Sequence, residues 1–305
     1  MYSKENNFRR IRNGCSTILL YTSNTPFSMD DWCGKQIKNV FAGTNCIMAV
    51  TERGETLQKI SVPDCMSRTQ YWTRIKQIGV SNWATGAAIG LVEDGTCIIA
   101  KRPIRRICEA CCLNFEHINN TIKSWTEIVQ VAASDAFFAL RNDGTVQYVS
   151  FCERYQEEYE EVNNWRSVVK IVTGTQNSVF GITKYGTILV AGYNGMYLQS
   201  HLQKLKNVLD VFPTGSECEK MYVLMMDGSV IIVPYDLENY VNYKLQKLDG
   251  HFGYKAIALT ESQSLVDISD KDIKLIFPEQ YKITSFAVGD NNYADPFVVA
   301  IAEWE

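Results

Sequence analysis

The chain has 305 residues, 46% of them hydrophobic and 21% charged, with a formal net charge of −4. That balance fits a soluble globular protein with a substantial core, and it lacks the Lys/Arg excess expected of a nucleic-acid surface. No apolar run approaches the roughly 18–20 residues of a membrane-spanning helix, which excludes that class.

Residues 1–7 are polar, and Thr17-Ile18-Leu19-Leu20 is too short for a secretory core, so no export signal is predicted. Ten cysteines are scattered without a framework, which fits reduced thiols in a cytoplasmic setting. Residues 1–31 then read as the second half of a repeat: an Asn13-Gly14 turn followed by a strand through Tyr21, with no first strand before it.

Complete copies follow. The first runs from Ile37-Lys38-Asn39-Val40 through Gly54 to about Ile60, and the second from Trp72 to about Ala100. The third, Trp125 to Tyr148, is the clearest: a β-branched strand, a short polar loop, an apolar strand, an Asp143-Gly144 turn and another strand. Asp-Gly between two apolar runs favours a tight hairpin, because glycine takes the positive φ such turns need. The fourth copy starts at Trp165 and the fifth at Leu205. The turn glycines 54, 95, 144, 186 and 228 are separated by 41, 49, 42 and 42 residues, the period of a solenoid, propeller or array.

Two departures interrupt the period. Residues 102–112 form an insertion, and the acidic run 153–161 predicts an exposed loop or short helix at the rim. A sixth, degraded copy is expected from Ile257-Ala258-Leu259 to Leu275, with Asp270-Lys271-Asp272 at the turn. Lys282 to Gly289 and Pro296 to Ile301 then make the first half of a repeat, which residues 1–31 would complete.

These observations predict one all-β domain over residues 1–305: a seven-bladed β-propeller of four-stranded antiparallel blades, about 44 residues each. The last blade is shared between about 1–31 and 278–305, and N- and C-terminal strands pair to close the ring. Misreading the sixth copy would make the count six or eight. Trp72, Trp125 and Trp165 recur at one repeat position and are expected to pack between blades.

Val168-Val169-Lys170-Ile171-Val172-Thr173-Gly174, continuing to Tyr185-Gly186-Thr187-Ile188-Leu189-Val190-Ala191-Gly192-Tyr193-Asn194, resembles the repeat of the regulator-of-chromosome-condensation propeller family. The resemblance covers nearly the whole chain and implies the same propeller fold. It also implies guanine-nucleotide exchange on a small GTPase as an alternative activity. The family's β-wedge has no clear counterpart here, although the acidic run 153–161 lies in a broadly similar region.

Equivalent loops of a propeller emerge on one face. Those between first and second strands are expected to gather Asn45, Trp83, Asp135, Gln176, Glu217, Gln263 and Tyr293, with Trp83 and Tyr293 as aromatic anchors for a partner. Cys108, Cys111, Cys112 and His117 are candidate zinc ligands, but no second Cys-x-x-Cys exists, and thiols within an insertion are the plainer reading. No nucleophile elbow, phosphate loop or paired-histidine motif is present, so no catalytic residue and no cofactor are assigned. The expected function is a non-enzymatic scaffold, monomeric in isolation, that binds another protein through one loop face, without nucleic acid or membrane. An enzyme with a site at the mouth of the central channel is the remaining alternative.

Overall fold

The computed structural model describes residues 8–13, 16–22, 27–60, 67–81, 87–100, 115–174, 178–214, 220–234, 244–251, 255–269, 274–291 and 295–304. Strands β1 (Phe8–Asn13) and β2 (Ser16–Thr22) pair first. There follow β3 (Ile37–Gly43), β4 (Cys46–Thr51) and β5 (Thr56–Ile60), then β6 (Ile75–Val80), β7 (Ala88–Val92) and β8 (Cys97–Ile99). After helix α1 (Phe115–Lys123) come β9 (Ile128–Ala133), β10 (Ala136–Arg141) and β11 (Val146–Ser150). Helix α2 (Glu153–Gln156) and a 3-10 helix (Glu157–Asn164) lead to β12 (Val168–Thr173), β13 (Val179–Thr183) and β14 (Ile188–Ala191). Helix α3 (Tyr193–Leu202) precedes β15 (Val208–Thr214), β16 (Lys220–Met225) and β17 (Val230–Val233). The last elements are β18 (Leu245–His251), β19 (Lys255–Thr260), β20 (Leu265–Asp267) and β21 (Lys274–Leu275), then β22 (Tyr281–Asn291) and β23 (Asp295–Trp304).

These strands form seven antiparallel sheets among the described residues. One joins both ends of the chain in the order β1-β2-β23-β22, with Ile18 opposite Ile301 and Tyr21 opposite Val298. Middle strands are mostly apolar because both of their faces are covered; every residue of β4, β7 and β13 is buried. Each of seven hydrophobic clusters bridges two neighbouring sheets. Met48 and Val50 meet Ile75 and Ile78, for example, and Ile18, Val299 and Ile301 meet Ile37, Val40 and Ile47.

One strand of each of the seven sheets (β3, β6, β9, β12, β15, β18 and β22) carries the same four-residue phrase at or near its start: Ile37-Lys38-Asn39-Val40, Ile75-Lys76-Gln77-Ile78, and so on to Ile283-Thr284-Ser285-Phe286. Its second residue is skipped by the strand register, a β-bulge that turns that side chain into solvent. Bulge and turn lock successive sheets together. The N–H groups of Ile75, Ile128, Val168 and Val208 each donate to the carbonyl of the preceding turn glycine, 54, 95, 144 or 186, at 3.0 Å. At Gly186 the approach is closest: φ is +70° and an added Cβ would lie 2.7 Å from Asn207 Cα.

Four-stranded blades were expected, but five of the sheets have three strands among the described residues. Short helices cover the outer edges instead. Ile118 and Ile122 of α1 pack with Val149, and Leu198 and Leu202 of α3 pack with Val190. The acidic run is helical rather than a loop, and it is not merely exposed: Tyr159 and Val162 are buried, with the Tyr159 ring 5.0 Å from that of Phe138. A helix over an unpaired strand edge blunts it as effectively as a fourth strand.

The sixth copy also differs from expectation. Its first strand is β18, not Ile257–Leu259, and its tight turn is Glu261-Ser262-Gln263-Ser264. Residues 270–272 lie outside the described residues. Trp72 and Trp165 are buried as expected, each lying against a second-strand glycine, Gly90 or Gly181, where a Cβ would sit 2.9 or 2.8 Å from the indole.

Candidate functional site

The third residue of the repeated phrase is polar in every copy: Asn39, Gln77, Gln130, Lys170, Asp210, Lys247 and Ser285. Several tie one first strand to the next. Val131 N–H donates to Gln77 Oε1 at 3.0 Å, and Gln130 accepts from Ile171 N–H and donates to its carbonyl, both at 2.8 Å. Asp210 accepts from Leu248 N–H at 3.0 Å, and Ser285 accepts from Val40 N–H at 3.3 Å. Asp210 is 2% exposed and pairs with Lys170 at 2.6 Å.

Between β3, β6, β18 and β22 lies a cavity of about 350 Å³, with Asn39, Gln77, Lys247, Asp249 and Ser285 in its lining. Burial pushes the Asp249 carboxyl above the usual carboxylate range, against the pull of Lys247 and the Gly250 N–H; Asp210 adds to the rise and Lys170 opposes it. Part of Asp249 still faces the cavity solvent. The Lys247 ammonium lies over the Phe286 ring, 4.7 Å from its centroid. Much of this chemistry is committed to holding strands, and no described group of three or more His, Cys, Asp or Glu side chains is placed to hold a metal ion.

Of the expected loop-face residues, Asn45, Asp135 and Gln263 are among the described residues. Asn45 occupies the β3–β4 turn, where its N–H donates to the Asp290 carbonyl at 2.7 Å. Asp135 is buried in the β9–β10 turn, and its carbonyl accepts from Phe151 N–H. Trp83, Gln176, Glu217 and Tyr293 lie outside the described residues, as do Cys108, Cys111 and Cys112. His117 is exposed on α1. Gln263 belongs to the opposite end of the sheet: it takes the place of the turn glycine at φ +60°, and its carbonyl accepts from Ile283 N–H at 2.8 Å. Of the cysteines, Cys97 is buried and its thiol is pushed up to about 12 by desolvation, with Asp94 contributing, which makes it a poor ligand or nucleophile.

The end of the sheets that carries the second-to-third-strand turns has a feature the sequence reading missed. The bulged position is exposed in all seven copies and is Lys38, Lys76, Val129, Val169, Leu209, Gln246 and Thr284 in order. Three consecutive copies therefore turn an aliphatic side chain to water, Val169 at 58% exposure. The adjacent turns add Tyr185, 67% exposed, and Met226. The turns abut the next first strand: Gly144 faces Ser167 and Gly186 faces Asn207. That juxtaposition places Val129, Val169, Tyr185, Leu209 and Met226 in one arc over three neighbouring sheets.

In other copies the residue leading the first strand and the neighbouring turn form ion pairs. Arg74 pairs with Glu93 at 3.4 Å, Arg141 with Glu127 at 2.7 Å and Asp143 at 3.2 Å, and Lys244 with Glu261 at 3.5 Å. Asp94, Asp143 and Asp227 each accept a 2.6 Å hydrogen bond from the hydroxyl of Thr96, Thr145 or Ser229 and a second bond from that residue's N–H. Those bonds hold the three carboxyls below the usual carboxylate range.

No family model and no curated protein matches the sequence. Solved structures do match. Prp20p from Saccharomyces cerevisiae, described with its binding properties to Gsp1p and histones, is 11% identical at a TM-score of 0.64, over 97% of this chain and 93% of that one. Yeast RCC1 (Prp20) bound to Kap60 is 13% identical at 0.58, over 88% and 80%. The CRINKLY WD40 ectodomain of the Arabidopsis thaliana receptor kinase ACR4 is 12% identical at 0.51, over 88% and 97%. The fold is that of the RCC1-like propellers, as the repeat resemblance implied.

Proposed function

We propose that the chain is a single seven-bladed propeller whose last blade is completed by its own N-terminal strands, and that it works as a non-enzymatic scaffold binding another protein through one face. Supporting the ring, β2 pairs with β23, and first strands adjoin in cyclic order: β3, β6, β9, β12, β15, β18, β22 and β3 again. The observation that carries the function is the aliphatic and aromatic arc from Val129 to Met226. The core does not use these side chains, while the equivalent bulged positions of the other four sheets are polar: Lys38, Lys76, Gln246 and Thr284. Exposed apolar clusters of this kind on folded proteins mark interaction sites.

Affinity capture read by mass spectrometry tests it, with wild type compared against V169D/L209D and against a loop-face variant, W83A/Y293A. A partner retained by wild type and W83A/Y293A but lost from V169D/L209D fits the proposal. The reverse pattern would return the interface to the loops between first and second strands. A partner kept by both variants would remove the face reading altogether.

Guanine-nucleotide exchange on a small GTPase is the second reading, favoured by the RCC1-like fold alone. Release of a fluorescent guanine nucleotide from a purified small GTPase, unchanged by adding this protein, would dispose of it.

A further inference from the structure

We infer that the occupant of the apolar arc is an acidic amphipathic segment of a partner protein, one that alternates Asp or Glu with Leu, Phe or Trp; this rests on the protein-binding reading above. The argument is one of charge as well as apolarity. Arg166, Lys184, Lys204 and Lys206 are exposed near the starts of β12 and β15 and in the β13–β14 turn, so they flank Val169, Tyr185 and Leu209. Among the described residues none of the four forms an ion pair.

Of the acids nearest the arc, two are in ion pairs and one is hydrogen-bonded within its own turn. Glu127 and Asp143 are held by Arg141, and Asp143 also lies in the field of Arg166. Asp227 is held by the hydroxyl and N–H of Ser229. Glu157, Glu160 and Glu161 belong to the helical segment packed on the outer strands β11 and β14. Lys184 lies 5.1 Å over the Tyr185 ring, so one cation already sits on the arc's aromatic member. Arg166 donates to the Asn163 and Trp165 carbonyls, which leaves Lys184, Lys204 and Lys206 as the ammonium groups beside the arc without an ion pair. A basic partner would meet those three ammonium groups, and a wholly polar one would leave five apolar side chains wet. An acidic segment with apolar anchors satisfies both, with charge setting the rate and orientation of encounter and the anchors the residence time.

The test uses the full chain as bait for a random-peptide phage library. Selected sequences are then synthesised and titrated by fluorescence polarisation against wild type, V169D/L209D, the charge reversal K184E/K204E/K206E, and W83A/Y293A. Thermal melts check that each variant is folded. The expected result is enrichment of peptides carrying Asp or Glu beside Leu, Phe or Trp. Their affinity falls at least about tenfold on either arc variant, and weakens as salt rises from about 50 to about 300 mM.

Peptides that are lost on V169D/L209D but are neutral or basic, or indifferent to K184E/K204E/K206E, overturn the acidic-segment inference while leaving the protein-binding face intact. No enrichment, or peptides indifferent to V169D/L209D, overturns both. Sedimentation showing a wild-type dimer that L209D dissociates also overturns the inference, because a second copy would then be the occupant.

Discussion

Two sectors of the turn face share one backbone and differ in chemistry. In the ionic sector, the residue leading a first strand and its neighbouring turn pair opposite charges, at Arg74 with Glu93 and at Lys244 with Glu261. In the apolar sector the leading residues are Ser167 and Asn207, and the turns present Tyr185 and Met226. The backbone bonds are the same in both: Glu93 N–H donates to the Arg74 carbonyl at 2.8 Å, and Lys184 N–H donates to that of Ser167 at 2.8 Å. The fold therefore does not need either chemistry at these positions. What differs between sectors is available for recognition, while what they share holds the sheets together.

The largest effect should fall on the shared framework. G186A forces a Cβ into both a positive φ and the Asn207 backbone, and should cost about 2–4 kcal/mol. G95A, with φ +82° but 3.4 Å of clearance from Glu127 Cα, should cost only the conformational part, about 1–2 kcal/mol. Denaturant unfolding of both measures the difference; equal costs would mean that the two sectors are not packed differently.

Strand β15 allows a sharper contrast within three residues. Asp210, buried and bonded to Lys170, Val211 N–H and Leu248 N–H, should cost about 3 kcal/mol on replacement by Ala, because a buried donor and a partly buried cation lose their partner. L209A, one residue earlier and exposed, should change stability by less than about 0.5 kcal/mol. A large loss from L209A would make the arc structural and remove it from recognition. At the edge of the arc, R141A removes two solvent-exposed pairs and should cost less than about 1 kcal/mol, fading with salt.

The smallest effects are titrations. Asp94, Asp143 and Asp227 should show NMR midpoints below 3.8, and T96V should move that of Asp94 upward. A depressed carboxyl contributes stability that is complete above its unfolded value and is lost as pH falls through its folded one, so their contribution disappears only below 3.8. Asp249 has the opposite sign: its carboxyl is raised, so its contribution worsens as pH climbs from 3.8 through the folded value. D249N should accordingly be the more stable protein at neutral pH and lose that advantage in acid. Thermal melts at pH 3 and pH 7 would show it.

The repeat was legible because glycine turns and apolar second strands leave a period in the sequence. The sixth copy was misplaced because its turn has no glycine. Gln263 adopts φ +60° there, supported by Ser264 N–H donating to Thr260 Oγ1 at 3.0 Å, a device that resembles no Asp-Gly. The polar Gln246 and Lys247 likewise hid β18. Helices α1 and α3 were missed because the period does not encode what covers an edge, although the Ile118/Ile122 spacing in α1 is helical. The apolar arc was hidden for a different reason: Val129, Val169 and Leu209 read as ordinary strand residues until the bulge puts them outside.

The pairing of Ser16–Thr22 with Phe297–Glu303 also bears on biosynthesis. An emerging polypeptide can fold its inner sheets in turn, but β2 must wait for residues 297–303, about 280 positions later, before its neighbour exists. During that interval an apolar strand with Ile18, Leu19 and Leu20 has no home, and another nascent copy's C-terminal strand would fit it equally well. Crowded polysomes should then favour exchanged oligomers, and slower initiation should favour the monomer.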